Sequence, residues 1–186
     1  MSNSAWNSNA LWSGEASNPA SSTSWATPGA IFKPLDEEFQ FELDAAADPR
    51  NTKCPYWFGS SDDALAQDWS APTSYGSNAI EDESWPGPPW ERVWVNPPYG
   101  RHVGKWVKKA FDESRKGITV VMLLMASTDT HWWHDYVSKA TQVRLIRGRL
   151  AFIRNDGHTG PAPKGSAVVV FAPWWSGPPQ YVHWSP

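Results

Sequence analysis

The sequence predicts an α/β domain built on a mostly parallel sheet, and three observations predict it. Ile118-Thr-Val-Val-Met-Leu-Leu-Met125 is an unbroken apolar run, the pattern of a strand buried on both faces. Ahead of it, Val93-Trp94-Val95 is β-branched and aromatic and reads as a second strand. Between them, Arg101 to Lys116 places Val103, Trp106, Val107, Ala110 and Phe111 at helical spacing, with Lys105, Lys108 and Lys109 on the other side. Gly117 stands where a helix C-terminus favours glycine. Strand, helix and strand in that order form a βαβ unit.

The chain has 186 residues, enough for one domain with a sizeable core. Its formal net charge of −3 gives no global basic field, so any contact with nucleic acid must come from a local patch. The single Cys54 excludes an internal disulfide and a multi-cysteine zinc site, and fits a reducing compartment. No apolar run approaches about 18 residues, so no membrane span is expected, and the first residues lack the order of a signal peptide. The 14 tryptophans exceed ordinary usage and point to exposed aromatic surface for stacking or for a partner.

Residues 1–24 are Ser, Asn, Ala and Gly with isolated Trp6 and Trp12, and read as a disordered arm. Trp25-Ala26-Thr27-Pro28 reads as a helix start, with Thr27 as cap and Pro28 at the first helical position. Ile31, Phe32 and Leu35 follow on one face. Phe39-Gln-Phe-Glu-Leu-Asp44 alternates as a strand. Ligands bind off the carboxyl ends of such strands, so Asp44 either meets a cation or hydroxyl or caps the next turn. Ala45-Ala46-Ala47 stands where a dinucleotide fold needs glycines, which counts against a nicotinamide enzyme. Cys54 to Phe58 is a short apolar run. Of Asp62 and Asp63 after it, either accepts from an adenine amino group or both are solvated loop acids.

Residues 70–90 form a long Pro/Gly loop, expected to be mobile and close to the active-site mouth. Ser127 to Thr130 leads into a helix around Trp132 to Tyr136, with Thr128 or Thr130 as cap. His131 and His134 have no third ligand nearby, so no metal is expected. Gln142 to Ile146 alternates as a strand that continues through Gly148 to Arg154, and Asn155-Asp156-Gly157 is a turn. Ser166 to Phe171 is the last buried strand, and the tail from Pro173 has no regular pattern. Arg144, Arg147, Arg149, Arg154 and Lys164 form the most basic region. They are either solvated faces or a phosphate patch, and the second reading is preferred because the chain is otherwise acidic.

The most informative stretch is Val93-Trp94-Val95-Asn96-Pro97-Pro98-Tyr99-Gly100. Two prolines end the strand abruptly, because they remove two donors and fix two φ angles. Asn96 then offers a carboxamide oxygen, Pro97 a carbonyl and Tyr99 a flat ring. Two acceptors beside a stacking ring suit an exocyclic amino group on a heterocycle. The corner resembles the Asn-Pro-Pro-Tyr motif of S-adenosylmethionine-dependent amino methyltransferases, where it grips the nitrogen to be methylated. With Trp25-Ala-Thr-Pro28, Phe41-Glu-Leu-Asp44-Ala-Ala, Asn51-Thr-Lys-Cys54-Pro, Asp63-Ala-Leu65, Thr128-Asp-Thr130, Trp133-His134-Asp135, Ile146-Arg-Gly-Arg-Leu150 and Ser166-Ala-Val-Val, it resembles the phage-type DNA N6-adenine methyltransferase family. These are the small Dam-like enzymes of bacteriophages and prophages.

The resemblance implies a Rossmann-like methyltransferase sheet with an antiparallel C-terminal strand, over residues 25–172 and followed by a 173–186 tail. It implies S-adenosylmethionine as methyl donor, adenine in double-stranded DNA as acceptor, no metal and no membrane, in the bacterial host cytoplasm for a phage-encoded chain. Asn96, Pro97, Pro98 and Tyr99 would be catalytic, and Trp25, Thr27, Pro28, Asp44, Asp63 and Asn96 would bind the cofactor. Arg101, Arg147, Arg149, Arg154 and Lys164 would meet the DNA. An N4-cytosine or glutamine side-chain methyltransferase could use the same corner. A non-catalytic interaction module on a degenerate methyltransferase fold is a further alternative.

Overall fold

The computed structural model describes residues 25–77, 88–154 and 159–186. The expected disordered arm at 1–24, the middle of the Pro/Gly loop at 78–87 and the turn at 155–157 lie outside the described residues. The first half of the chain supplies β1 (Trp25–Ala26), α1 (Gly29–Phe39), β2 (Leu43–Asp44), β3 (Tyr56–Trp57), β4 (Gly76–Ser77) and β5 (Arg92–Val95). The second half supplies α2 (Val103–Ser114), β6 (Thr119–Met125), α3 (His131–Asp135), β7 (Gln142–Ile146), β8 (Ala151–Arg154), β9 (Thr159–Pro161), β10 (Ser166–Phe171) and β11 (Gln180–Trp184).

The central sheet has the order β11-β7-β10-β6-β5-β2-β3-β4. β6, β5, β2 and β3 pair in parallel, in the βαβ sense expected for the 92–125 segment. β10 runs antiparallel between β6 and β7, and β4 runs antiparallel at the far edge. The sheet is therefore mixed and mostly parallel. β6 shows why. Val120, Met122 and Leu124 face one core with α2 residues Val107 and Ala110 and α3 residue Trp133. Val121 and Leu123 face the other core with α1 residues Ile31, Phe32 and Leu35. Each such side chain contributes about 1.5–3 kcal/mol by leaving water, so a run with no polar face is held on both sides.

Several elements differ from the sequence reading. Trp25–Ala26 is not a helix start but a strand paired with β8. α1 begins at Gly29, Pro28 occupies the cap position, and Thr27 makes no cap bond. The expected 39–44 strand shrinks to Leu43–Asp44, because Phe39 still belongs to α1. Gln40 takes a left-handed φ of 56°, and Asp36 receives the Phe41 N–H at 3.0 Å, which turns the chain before a strand can start. Thr130 caps α3 by position only, since its hydroxyl donates back to the Ser127 carbonyl at 2.7 Å. β7 and β8 do not form one strand. Gly148, at φ 81°, turns β8 into a separate β1-β8-β9 sheet. The patternless tail yields β11, a parallel edge strand on β7.

Candidate active site

Parallel strands bring their carboxyl ends to one edge, and here β5, β2 and β3 end side by side. The loops that follow them enclose a cleft of about 840 Å³. Its walls are residues 26–27, 44–51, 53, 58–60, 63–65 and 96–99, with Trp94 and Trp106. Of the residues singled out in the sequence, Thr27, Asp44, Asp63, Asn96, Pro97, Pro98 and Tyr99 all line this one cleft. Pro28 does not line it, and the Trp25 side chain lies outside the described residues.

Within the corner, Tyr99 is tied to Asn96. The Tyr99 hydroxyl lies 3.0 Å from Asn96 Oδ1 and 3.2 Å from the Leu123 carbonyl, and its one proton serves one of them at a time. Burial raises the phenol well above its ordinary pKa, so it keeps that proton. The bond holds the carboxamide plane, while Oδ1 has a second lone pair. The Tyr99 ring meets Phe152 edge-on at 6.1 Å.

Asp44 takes the turn-capping role. It is 4% exposed, and its Oδ1 accepts the Ala46 N–H at 3.3 Å while Oδ2 accepts the Lys53 N–H at 3.2 Å. These bonds shape the turn after β2, and the carboxylate still faces the cleft. Burial pushes its carboxyl from 3.8 up to about 6, against the smaller opposing pull of the two N–H groups and the Lys53 charge. Asp62 is spent on the Gly59 N–H at 2.6 Å, which leaves exposed Asp63, at φ 42°, as the aspartate on the cleft wall. Thr27 is 4% exposed, and its hydroxyl has no hydrogen-bond partner among the described residues. A buried hydroxyl without a partner costs about 1–3 kcal/mol, so a polar occupant of the cleft would relieve it.

Lys53 and Trp106 line the cleft without having been singled out. Trp106 sits at the i+3 position from Val103 and reads as core, but its helix starts so close to the corner that its first turn faces the site. None of the described residues of the 70–90 loop lines the cleft. Trp90 is instead buried against Tyr56 at 4.8 Å, and its backbone N–H reaches the Ser70 carbonyl at 2.8 Å.

Arg101, Arg147, Arg149 and Lys164 do not line the cleft. Arg101 follows β5, Arg147 and Arg149 follow β7, and Lys164 precedes antiparallel β10, so the topology brings them to the sheet edge that carries Asn96. Arg147 is exposed, Arg149 donates to the Ala162 carbonyl at 2.9 Å, and Lys164 reaches Ser127 Oγ at 3.3 Å. Arg144 leaves the expected patch, because Glu38 engages both its terminal nitrogens at 2.6 and 2.5 Å. Arg154 belongs to β8 opposite Trp25, with its side chain outside the described residues. Among the described residues, no group of three His, Cys, Asp or Glu could hold a metal ion, and no helix is long and apolar enough to cross a membrane.

The chain is 28% identical to the DNA N-6-adenine-methyltransferase of Escherichia phage T1 over 182 residues, covering 87% of this chain and 68% of that protein. It is also 28% identical to the DNA N-6-adenine-methyltransferase of Haemophilus phage HP1 over 155 residues, covering 80% of this chain and 78% of that protein. The family model described as DNA N-6-adenine-methyltransferase (Dam) matches residues 16–183. The chain belongs to the DNA N-6-adenine-methyltransferase (Dam) family.

Proposed function

We propose that this chain transfers the methyl group of S-adenosylmethionine to N6 of an adenine flipped out of double-stranded DNA. The observation that carries the reading is the meeting of the Asn96-Pro97-Pro98-Tyr99 corner with Thr27, Asp44 and Asp63 around one cleft. We further propose a Rossmann-like methyltransferase unit over residues 25–172, with β11 added to its sheet edge.

The cleft suits the cofactor in size and in chemistry. Its volume of about 840 Å³ lies within the ordinary range of ligand sites. Asp44 offers a carboxylate to hydroxyls, Asp63 an acceptor to an amino group, and the buried Thr27 hydroxyl lacks a protein partner among the described residues. Ala45, Ala46 and Ala47 leave room beside them without the glycines that a pyrophosphate needs. The cofactor, when bound, supplies a methyl group on a sulfonium.

The protein's part is positioning. An adenine inside a duplex is out of reach, so the base is extruded at a cost of a few kcal/mol. Tyr99 stacks on it, and Asn96 Oδ1 and the Pro97 carbonyl accept its N6–H bonds. This aims the nitrogen lone pair at the methyl carbon for in-line displacement, in which the N–C bond would form as the C–S bond breaks, the thioether would leave and one N6 proton would pass to solvent. The acceptors are neutral, so the reaction needs no strong general base in the cleft. Arg101, Arg147, Arg149, Arg154 and Lys164 would hold phosphates beside the corner, and the relatives' phage origin points to the host cytoplasm as the place of action.

The test is transfer of labelled methyl from S-adenosylmethionine to unmethylated DNA, followed by nucleoside analysis. Label in N6-methyladenine is expected. Label only in N4-methylcytosine would change the base, and no label in DNA would overturn the reading. Asn96→Ala should lower kcat by at least about 100-fold while cofactor affinity stays within about threefold.

A further inference from the structure

A carboxylate outside the cleft is buried where stability alone gives little reason for it. Glu113, on the last turn of α2, is 1% exposed. Its Oε1 accepts from Lys109 Nζ at 2.5 Å and Lys116 Nζ at 2.8 Å, and its Oε2 accepts the Trp69 backbone N–H at 3.2 Å. Desolvating such a group costs several kcal/mol, and well-packed apolar residues commonly stabilise as much or more. Its two lysine partners lie on α2 or just past its end, whereas the Trp69 N–H and, through Lys109, the Gln67 carbonyl belong to a separate segment, so Glu113 ties two parts together.

The parts joined here are two walls of the cleft. On one side, Trp69 is fully buried, and its indole N–H donates to the Ala64 carbonyl at 2.7 Å. Gln67 reaches the Asp62 carbonyl at 3.0 Å, so residues 62–69 fold on themselves as one piece. That piece carries Asp63, Ala64 and Leu65 into the cleft. On the other side, α2 starts directly after the corner, with the Val103 N–H on the Gly100 carbonyl at 3.2 Å. The same helix carries Trp106 into the cleft. Lys109 adds a second tie to the Gln67 carbonyl at 2.5 Å, and the Trp69 and Trp106 rings lie 6.4 Å apart.

We propose that Glu113 is a positioning residue that keeps the 63–65 wall in register with the helix following the Asn-Pro-Pro-Tyr corner, and so sets affinity for the methyl donor. The proposal rests on the methyltransferase reading above. Glu113 touches no reacting atom. Its loss lets the wall drift from Trp106 and leaves the corner's own acceptors in place.

Full-length wild type, Glu113→Gln and Lys109→Met are compared by S-adenosylmethionine titration and by methyl-transfer kinetics on DNA. Glutamine keeps the shape and an acceptor for Trp69 but loses both ammonium pairs. Methionine keeps the stem of Lys109 and loses its tie to Gln67. Both variants should raise the Kd and KM for S-adenosylmethionine about tenfold, with kcat at saturation and KM for DNA within about threefold. A merely structural role would instead reduce the folded fraction, lowering kcat and Tm with KM unchanged. Kd within about twofold of wild type in the folded variants overturns the proposal. A wild type that neither binds S-adenosylmethionine nor methylates DNA overturns the methyltransferase reading itself. If Glu113→Gln fails to fold, Lys109→Met alone decides the matter by the same criterion.

Discussion

At Asp44, folding and the proposed binding of a cofactor hydroxyl favour opposite protonation states. The carboxyl titrates near 6 in the folded chain, against 3.8 as its ordinary value, mainly because it is buried. Between those two pH values the unfolded chain has already released a proton that the folded chain still holds. Stability from this group is therefore greatest below about pH 4, falls as pH rises to about 6, and is flat above, a loss of about 3 kcal/mol. Affinity for a hydroxyl-bearing cofactor follows the ionised form and so moves the other way. Denaturant unfolding at pH 4, 5 and 7 should show this slope in wild type and lose it in Asp44→Asn, and cofactor Kd should rise below pH 6 in wild type only. The Asp44 position was legible because an acid at a strand end points to the carboxyl edge, and the 96–99 corner because its four residues are contiguous. The Tyr99–Asn96 bond and the place of Lys53 were not legible, since both depend on how turns fold back.

Among the elements, the long apolar ones were legible and the short ones were not. β6 and α2 announce themselves through an unbroken apolar run and a helical stripe, which only tertiary burial can satisfy. β2, β3 and β4 are two residues each, too short to show a period, and are held by neighbours rather than by their own pattern. β11 is mostly exposed, so its Gln-Tyr-Val-His-Trp sequence shows no buried face, and pairing with β7 is what orders it. The β3–β4 pair shows how tightly a short element can be specified. Gly76 lies directly across from Trp57, and a Cβ there would sit 2.3 Å from the indole Cε2. The buried indole covers the glycine and cannot retreat freely. Gly76→Ala should therefore destabilise by about 1–3 kcal/mol, a fall in Tm of roughly 3–10 °C for a chain of this size, measurable by calorimetry. An unchanged Tm would show that the edge pair is loose. Since β3 leads straight into the 58–60 wall of the cleft, this edge also supports the site.

At the scale of the molecule, a chain with net charge −3 must hold a polyanion by local arrangement. The sheet directions supply one, because the segments after β5 and β7 and before β10 all emerge at the edge that holds Asn96. Arg147 and Lys164 were already legible as part of the most basic region of the sequence, but that region misleadingly included Arg144. Pairing with Glu38 removes Arg144 from use, whereas Arg147 and Lys164 remain exposed. Each cation that neutralises a phosphate releases counterion and contributes about 0.9 to the slope of log affinity against log salt. Replacing Arg147 and Lys164 together by Ala should weaken DNA binding and flatten that slope by about 1–2, with the cofactor Kd unchanged. The slope is read from DNA titrations between about 50 and 200 mM salt. An unchanged slope would assign both residues to a solvated face and move the phosphate contacts elsewhere on that edge. A flattened slope with unchanged base identity in the product would separate the two tasks, leaving affinity to the edge and choice of base to the cleft.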